Sequence, residues 1–209
     1  MNSGVYKRME AVVALEHDAE LMLRVREGDS ASFERLLEKY RVPVIHYLYR
    51  MIQNQGIAEE LAQEVFFRVY RSRGSYEPTA KFTTWLFRIA THLALNSLRD
   101  RRNERGQESL DERNEESRRI QVMDQRRNRE QELVEEARLE EVRRAVAALP
   151  EKQRAAVFMH KYQEMDYVQI AGVLGCSTST VKSLLFRAYE TLRGRLSHFS
   201  EPVSEGRSL

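Results

Sequence analysis

From residue 18 onward, apolar positions recur at three- and four-residue intervals, the spacing of amphipathic helices. Residues 18–28 predict a short helix ending at Gly28, with Asp29 and Ser30 placed to cap the next one. Phe33, Leu36, Leu37, Tyr40, Val44, Leu48 and Ile52 continue the period, and Pro43 inside it predicts a kink or restart near Arg41. After the polar turn Gln53–Gly56, residues 57–73 predict a third helix. Its buried stripe is Leu61, Val65 and Val69, supported by Ala58 and Ala62. Gly74, Ser75 and Pro78 break residues 74–81 into a loop, with Tyr76 standing in the open. A helix over 82–102 then turns Phe82, Leu86, Ile89, Ala90 and Leu93 toward a core. Arg88, Thr91, His92, Leu95, Asn96 and Arg99 fall on its outward side.

The pattern fails over 103–132, where Leu110, Ile120, Val122 and Met123 are almost the only apolar residues among dense mixed charge. Such a segment cannot bury a core and reads as a linker, mostly disordered when free. Helical period resumes through Leu139, Val142, Val146 and Leu149, is punctuated by Pro150, and continues over Glu151–Tyr162, where Ala155, Val157, Phe158 and Met159 supply apolar bulk. Next, Val168, Ile170, Ala171 and Leu174 predict a short helix capped by Asp166 and ended by Gly175 in a left-handed conformation. Ser177, Thr178 and Ser179 offer a new cap, and Val181, Leu185, Ala188 and Leu192 form the core stripe of a last helix. Small Ala171, Gly175 in the turn and Val181 beyond it together resemble a helix-turn-helix. The fold class is all-α: two small helical domains joined by a charged flexible linker, the second ending in a helix-turn-helix. The expected division is a tail over 1–17, a domain over 18–104, a linker over 105–132, a domain over 133–197 and a tail over 198–209.

Charge sharpens the picture locally. Charged residues make up 32% of the chain, yet the net charge is only +2, so nucleic-acid contact must come from clustering. The second helix of the helix-turn-helix supplies such a cluster. Ser177, Thr178, Ser179, Thr180, Lys182, Ser183, Phe186 and Arg187 lie off its core stripe, and small hydroxyls and cations at the start of a recognition helix suit a major groove. The outward side of 82–102, with Arg101, Arg102 and Arg105 beyond it, suits phosphate contact and base stacking; it equally fits a solvated helix end. Glu59, Glu60, Gln63 and Glu64 form an acidic face with no histidine or metal partner nearby in sequence, which favours a solvated or partner-binding surface over acid–base chemistry.

Catalytic and metal chemistry find no support. The five histidines (17, 46, 92, 160, 198) are scattered, the one cysteine, Cys176, excludes an internal disulfide, and no phosphate-binding glycine loop or nucleophile elbow is present. A small core residue is the reading for Cys176. No apolar run approaches a membrane span, and Ala11–Leu15 is too short for a signal-peptide core, so a cytoplasmic protein without membrane insertion, cofactor or metal is expected.

Four motifs in order, AEELAQEVFFRVYR at 58–71, KFTTWLFRIATHLALNSLRDRR at 81–102, LPEKQRAAVFMHKYQEMDYVQIAGVLG at 149–175 and STSTVKSLLFRAYETLRGRL at 177–196, resemble bacterial RNA polymerase sigma factors of the extracytoplasmic-function (ECF) type. The resemblance covers roughly 20–104 and 133–196. It implies promoter-specific transcription initiation through binding core RNA polymerase, recognising −35 and −10 elements and helping to open the −10 region. It implies that Glu59, Glu60, Gln63 and Glu64 dock on the polymerase clamp. The loop 74–81 would hold a flipped −10 base, and Tyr76, Lys81, Trp85, Arg88, His92, Asn96 and Arg99 would contact the −10 region. The −35 element would be read from the face between Ser177 and Arg187 while the second domain packs on the polymerase flap, with the linker threading the polymerase near the RNA exit path. An anti-sigma factor is a further partner that many members of the family have. Housekeeping sigma factors carry two adjacent tryptophans where this chain has Trp85-Leu86, so melting is expected to lean more on base capture. Their middle domain and acidic N-terminal region have no counterpart here.

Two other classes fit less. A response-regulator type of helix-turn-helix protein needs a β-rich receiver, and residues 1–104 show no strand alternation. An enzyme borrowing a basic helix needs a catalytic constellation, and none is present. The linker reading predicts protease nicking of the free protein between about Arg105 and Arg129, leaving two helical pieces. Uniform protection of that span without a partner would contradict it.

Overall fold

The structure, a computed structural model, describes residues 17–107 and 129–199, and every element of regular structure among them is an α-helix or a 3₁₀ turn. In chain order the α-helices are α1 (17–26), α2 (Ser30–Ile52), α3 (Gln55–Arg71), α4 (Phe82–Gln107), α5 (Arg129–Ala147), α6 (Glu151–Tyr162), α7 (Tyr167–Leu174) and α8 (Thr178–Arg195). Short 3₁₀ turns follow α3 at Arg73–Ser75 and α8 at Ser197–Phe199. The expected protease sites between 108 and 128 lie outside the described residues.

Local chemistry sets most boundaries. Asp29 caps α2 by accepting from the backbone N–H groups of Ala31 (3.0 Å) and Ser32 (3.3 Å). The Ser32 hydroxyl and these backbone donors hold the Asp29 carboxyl below its ordinary range. Gln53, at φ +59°, ends α2 by donating to Tyr49 O at 2.7 Å, and Asn54 at once caps α3. The turn expected over Gln53–Gly56 is therefore two residues long. Pro43 does not restart the helix: α2 is continuous from Ser30 to Ile52. Proline removes one N–H, but buried Tyr40 and Val44 on either side, with Tyr47 and Leu48 beyond, hold the flanking turns against the core.

α1 to α4 enclose one apolar core. Leu21, Met22 and Val25 from α1, Leu36, Val44, Tyr47 and Leu48 from α2, Ala58, Val65 and Val69 from α3, and Phe82, Leu86, Phe87 and Ala90 from α4 are all buried. Leu61 is only partly buried, whereas Phe66 is fully so. Two polar groupings within this core carry no periodic signal in the sequence. Asp18 is 1% exposed and accepts from Lys39 Nζ at 2.6 and 2.7 Å and from the Tyr40 hydroxyl. Thr91, expected to face outward, is fully buried and shares a 2.7 Å hydrogen bond with the Tyr47 hydroxyl. A buried threonine beside a buried tyrosine satisfies both groups, which charge-and-apolar patterning cannot reveal.

The second half builds a smaller helical unit. Ala155 to Met159 of α6, Ile170, Ala171 and Val173 of α7, and Val181, Leu185 and Ala188 of α8 are buried together. Three expectations fail here. Leu139 and Val142 are 52% and 37% exposed, because α5 meets the rest through Ala145, with Leu149 buried just beyond its end. Val168 is 70% exposed, since the single inward stripe of the eight-residue α7 is already filled by Ile170, Ala171 and Val173. The expected tail begins later than His198: His198 Nε2 lies 2.9 Å from Glu141 and the Arg138 guanidinium sits over the Phe199 ring, so Ser197–Phe199 folds back on α5.

The halves also pack on each other. α7 lies against α4 and α6 against α2, and the buried apolar cluster runs unbroken across the seam. Leu95, on the α4 face expected to meet solvent, is partly buried against this cluster, as is Leu98. Arg102 Nη2 reaches Glu151 at 2.5 Å, and the Arg50 guanidinium lies 4.0 Å from the Tyr162 ring centroid. α4 also runs to Gln107 and α5 begins at Arg129, so both helices enter the span expected to be linker.

The Tyr47–Thr91 pair gives a stability prediction. Tyr47→Phe alone should cost about 1–2 kcal/mol by stranding the Thr91 hydroxyl, and adding Thr91→Val should recover most of it, because two apolar partners leave no group unpaired. Urea denaturation of the wild type and both variants checks this.

Candidate nucleic-acid interface

Five of the seven residues expected at the −10 region fall on one stripe of α4, and Lys81 just before the helix continues it. Lys81, Trp85, Arg88, His92, Asn96 and Arg99 recur at intervals of three and four, which places them on one helix face. All are exposed except Trp85, which is half-buried. Arg99 Nη2 donates to Asn96 Oδ1 at 3.3 Å and lies near Asp100, so the C-terminal end of the stripe is ordered by its own side chains.

Tyr76 departs from expectation. It is 2% exposed, its ring centroid lies 4.9 Å from Trp85 and 6.3 Å from Phe82, and its carbonyl accepts from Arg26 Nη1 at 3.3 Å. Glycine, serine and proline around it predicted the loop correctly but not the direction of the ring, which turns inward to cover the start of α4. Burial raises the tyrosine hydroxyl above its ordinary value, and that hydroxyl finds no hydrogen-bond partner among the described residues. Tyr76 therefore supports Trp85 from beneath. Leu86 is fully buried, so the position that carries a second tryptophan in housekeeping sigma factors points here into the core.

The second face is the start of α8. Asp166 and Gln169 form a reciprocal capping box at α7, and Gly175, at φ +62°, ends that helix by donating to Ala171 O. Cys176 N also donates to Ala171 O at 3.1 Å, which brings the chain sharply round. Cys176 is half-buried against the core, as a small packing residue. Ser177 caps α8 by accepting from Thr180 N at 3.2 Å, and its hydroxyl lies 2.8 Å from that of Ser179 and 2.9 Å from that of Thr180. Ser183 Oγ donates to Ser179 O at 3.1 Å. These hydroxyls shape the helix start, while Thr178, Lys182, Phe186 (67% exposed) and Arg187 project into solvent opposite Val181, Leu185 and Ala188. No acidic residue occupies the first turn of α8, so the positive end of the helix dipole is unopposed there.

A third face has the opposite sign. Glu59, Glu60 and Gln63 are exposed on α3 and Glu64 is half-exposed. Gln55 donates to Glu59 at 2.6 Å and Arg68 to Glu64 at 2.6 Å. The same side continues into Phe67 (58% exposed) and Tyr70 (41% exposed), which the sequence reading missed. The run VFFRVY offered the signal: two adjacent phenylalanines cannot both face inward on one helix, and Phe66 is the buried one. No cluster of three or more His, Cys, Asp or Glu that could hold a metal occurs among the described residues, and no described helix is long and apolar enough to cross a membrane.

Comparison with known proteins gives the family of the chain. Residues 36–104 match the family model for Sigma-70 region 2, and residues 139–192 match Sigma-70, region 4. The chain is 30% identical over 178 residues to the RNA polymerase sigma-H factor of Pseudomonas aeruginosa, covering 85% of this chain and 92% of that protein. It is 30% identical over 182 residues to the ECF RNA polymerase sigma-E factor of Escherichia coli (86% and 94% covered) and 28% identical over 180 to SigW of Bacillus subtilis (83% and 93%). Among solved structures, CnrH in complex with the cytosolic domain of CnrY superposes with a TM-score of 0.64 at 19% identity (87% and 97% covered). RpoE bound to the anti-sigma factor NepR, from Bartonella quintana, gives 0.61 at 20% (79% and 96%). The fold and its two matched regions define a sigma factor of the Sigma-70 class, a transcription initiation factor. Within that class the chain belongs to the ECF sigma factors, which direct promoter-specific transcription initiation.

The turn before α8 supplies a test. A Cβ at Gly175 meets no neighbour within 4 Å, so Gly175→Ala should cost only the left-handed backbone penalty of about 1 kcal/mol. Val181→Asp buries an unpaired charge in the α6–α8 core and should abolish its cooperative melting. Thermal melts of both variants, followed by circular dichroism, check the ordering.

Proposed function

We propose that residues 18–104 serve as the −10- and clamp-binding unit and 133–197 as the −35- and flap-binding unit. Each role rests on the charge and exposure of a helix face. The observation that carries the reading is the segregation of faces: two separate cationic, polar helix faces and one acidic face in a chain whose net charge is only +2. The stripe from Lys81 to Arg99 would meet the −10 region, with Arg88, His92 and Asn96 on bases or backbone and the Trp85 edge available for stacking. Tyr76 acts there only through Trp85. Ser177, Thr178, Ser179, Thr180, Lys182, Ser183, Phe186 and Arg187 would meet the −35 major groove, the hydroxyls by shaping the helix start and the longer side chains by reaching the DNA. Glu59, Glu60, Gln63 and Glu64 would dock on the clamp, with Phe67 beside them as an apolar contact.

The protein works in the cytoplasm beside core RNA polymerase, carries no catalysis or cofactor of its own, and is open to control by an anti-sigma factor. One structural relative is in complex with the anti-sigma factor NepR, and another is in complex with the cytosolic domain of CnrY.

Arg187 and Lys182 separate base reading from phosphate contact. A planar guanidinium can grip guanine O6 and N7 together, whereas an ammonium acts as a point charge. Arg187→Ala should cost about 1–3 kcal/mol on a cognate −35 duplex and relax preference at one position. Lys182→Ala should weaken all duplexes alike and lower the salt slope by about one unit. Salt-titrated binding to a −35 duplex panel measures both, and an equal loss on every duplex for Arg187→Ala would remove its base-reading role. On the other half, reversing Glu59, Glu60 and Glu64 to Lys should weaken binding to core polymerase with unchanged helix content. Competition of that triple variant at wild-type strength would remove the clamp role.

A further inference from the structure

α1 supplies no residue to any of the three faces, yet one of its ends is locked to α2 and the other reaches the loop before α4. Its inward side, Leu21, Met22 and Val25, is buried in the core. At its start Asp18, 1% exposed, accepts from Lys39 Nζ at 2.6 and 2.7 Å and from the Tyr40 hydroxyl. A desolvated carboxylate with charged and hydroxyl donors is strongly held, so this end of α1 is pinned. At its last turn exposed Arg26 donates through Nη1 to the carbonyl of Tyr76 at 3.3 Å, a residue 50 positions further along the chain. The other bonds of the loop are local: Ser75, Tyr76 and Thr79 donate to Ser72, Arg73 and Glu77, and Lys81 accepts from Thr84 and Trp85. Among the described residues, the Arg26 bond is therefore the only hydrogen bond from residues 73–81 to a segment distant in sequence.

What that bond holds is the support of Trp85. The Tyr76 ring lies 4.9 Å from Trp85 and 6.3 Å from Phe82, and Phe82 lies 6.0 Å from Trp85 and 5.5 Å from Tyr40. A continuous block of rings thus runs from the buried Asp18 carboxylate to the half-buried indole on the α4 stripe. The two ends of α1 grip this block, Asp18 through the Tyr40 hydroxyl and Arg26 through the main chain of Tyr76. The Tyr76 hydroxyl has no partner of its own among the described residues, so packing fixes the ring and the Arg26 bond fixes its backbone. A stacking platform set before a base arrives costs nothing to order on binding, whereas one that must be ordered loses affinity by the fraction not competent.

We propose that Arg26 is a positioning residue for −10 recognition: without meeting DNA itself, it ties the loop to α1 so that Tyr76 keeps Trp85 ready for an unstacked base. This rests on the −10 role proposed for the α4 stripe and extends the site to a helix outside it.

Trp85 is the only tryptophan of the chain, so the emission of the free protein reports this ring. Arg26→Ala should shift that emission to the red and raise its quenching by acrylamide, with helix content unchanged. With core polymerase, the same variant should bind a cognate −10 single strand about three- to tenfold more weakly. Arg26→Lys, which can still donate to the carbonyl, should recover most of both signals. In a Trp85→Ala background, Arg26→Ala should cost little further, because its effect passes through the missing ring. The salt slope of strand binding should stay at the wild-type value, since no phosphate contact is lost. Unchanged emission, strand binding at wild-type strength by Arg26→Ala, an equal further loss in the Trp85→Ala background, or a slope lowered by about one unit would each overturn the proposal. Strand binding by Trp85→Ala as tight as wild type would instead sink the −10 reading on which it rests.

Discussion

The arrangement depends on α4 being buried from two sides. One ridge of this helix, through Leu86, Phe87, Ala90 and Ala94, completes the core of α1–α3. The adjoining ridge, with Thr84, Leu95 and Leu98, meets the second half. What is left is a single stripe, and the sequence fills it with Lys81, Trp85, Arg88, His92, Asn96 and Arg99. Because apolar side chains at helical spacing fix how a helix is rotated against its neighbours, the same packing that stabilises the unit also aims the cationic stripe outward. Tyr76 belongs to this device: its ring closes the core at the start of α4 and sets the height of Trp85 above it.

The second reading face is aimed by different means. α7 is only eight residues long and derives its definition from its ends, the Asp166–Gln169 capping box and the left-handed Gly175. Those ends fix where Ser177 can begin α8, and the three-residue stripe Val181, Leu185 and Ala188 fixes its rotation. Sequence-local chemistry thus carries the geometry of the α8 face, whereas long-range packing carries that of the α4 stripe.

This difference explains what could be read from the chain. The helices, the capped turn at 166–177, the outward face of α8 and the stripe on α4 follow from period and capping, which are local. The inward turn of Tyr76, the burial of Thr91 and Asp18, and the contact of α4 with α7 depend on partners elsewhere in the chain: Trp85, Tyr47, Tyr40 and, for Thr84, Gly172. A threonine or an arginine among outward-looking neighbours carries no mark of burial until the partner is known. The exposed Leu139 and Val142 show the converse, a continuing apolar period whose expected packing partner is absent along that face of α5 among the described residues.

The central claim is that one chain reads two separated DNA elements through two helix faces, on behalf of RNA polymerase. Selection of randomised duplex DNA by the protein together with core polymerase, followed by sequencing of what is retained, addresses it directly. The account predicts two enriched sequence blocks at a fixed spacing, with the upstream block altered by substitutions on α8, the downstream block by substitutions on the α4 stripe, and joint enrichment only when core polymerase is present. A single block, or two blocks equally enriched without polymerase, would contradict it.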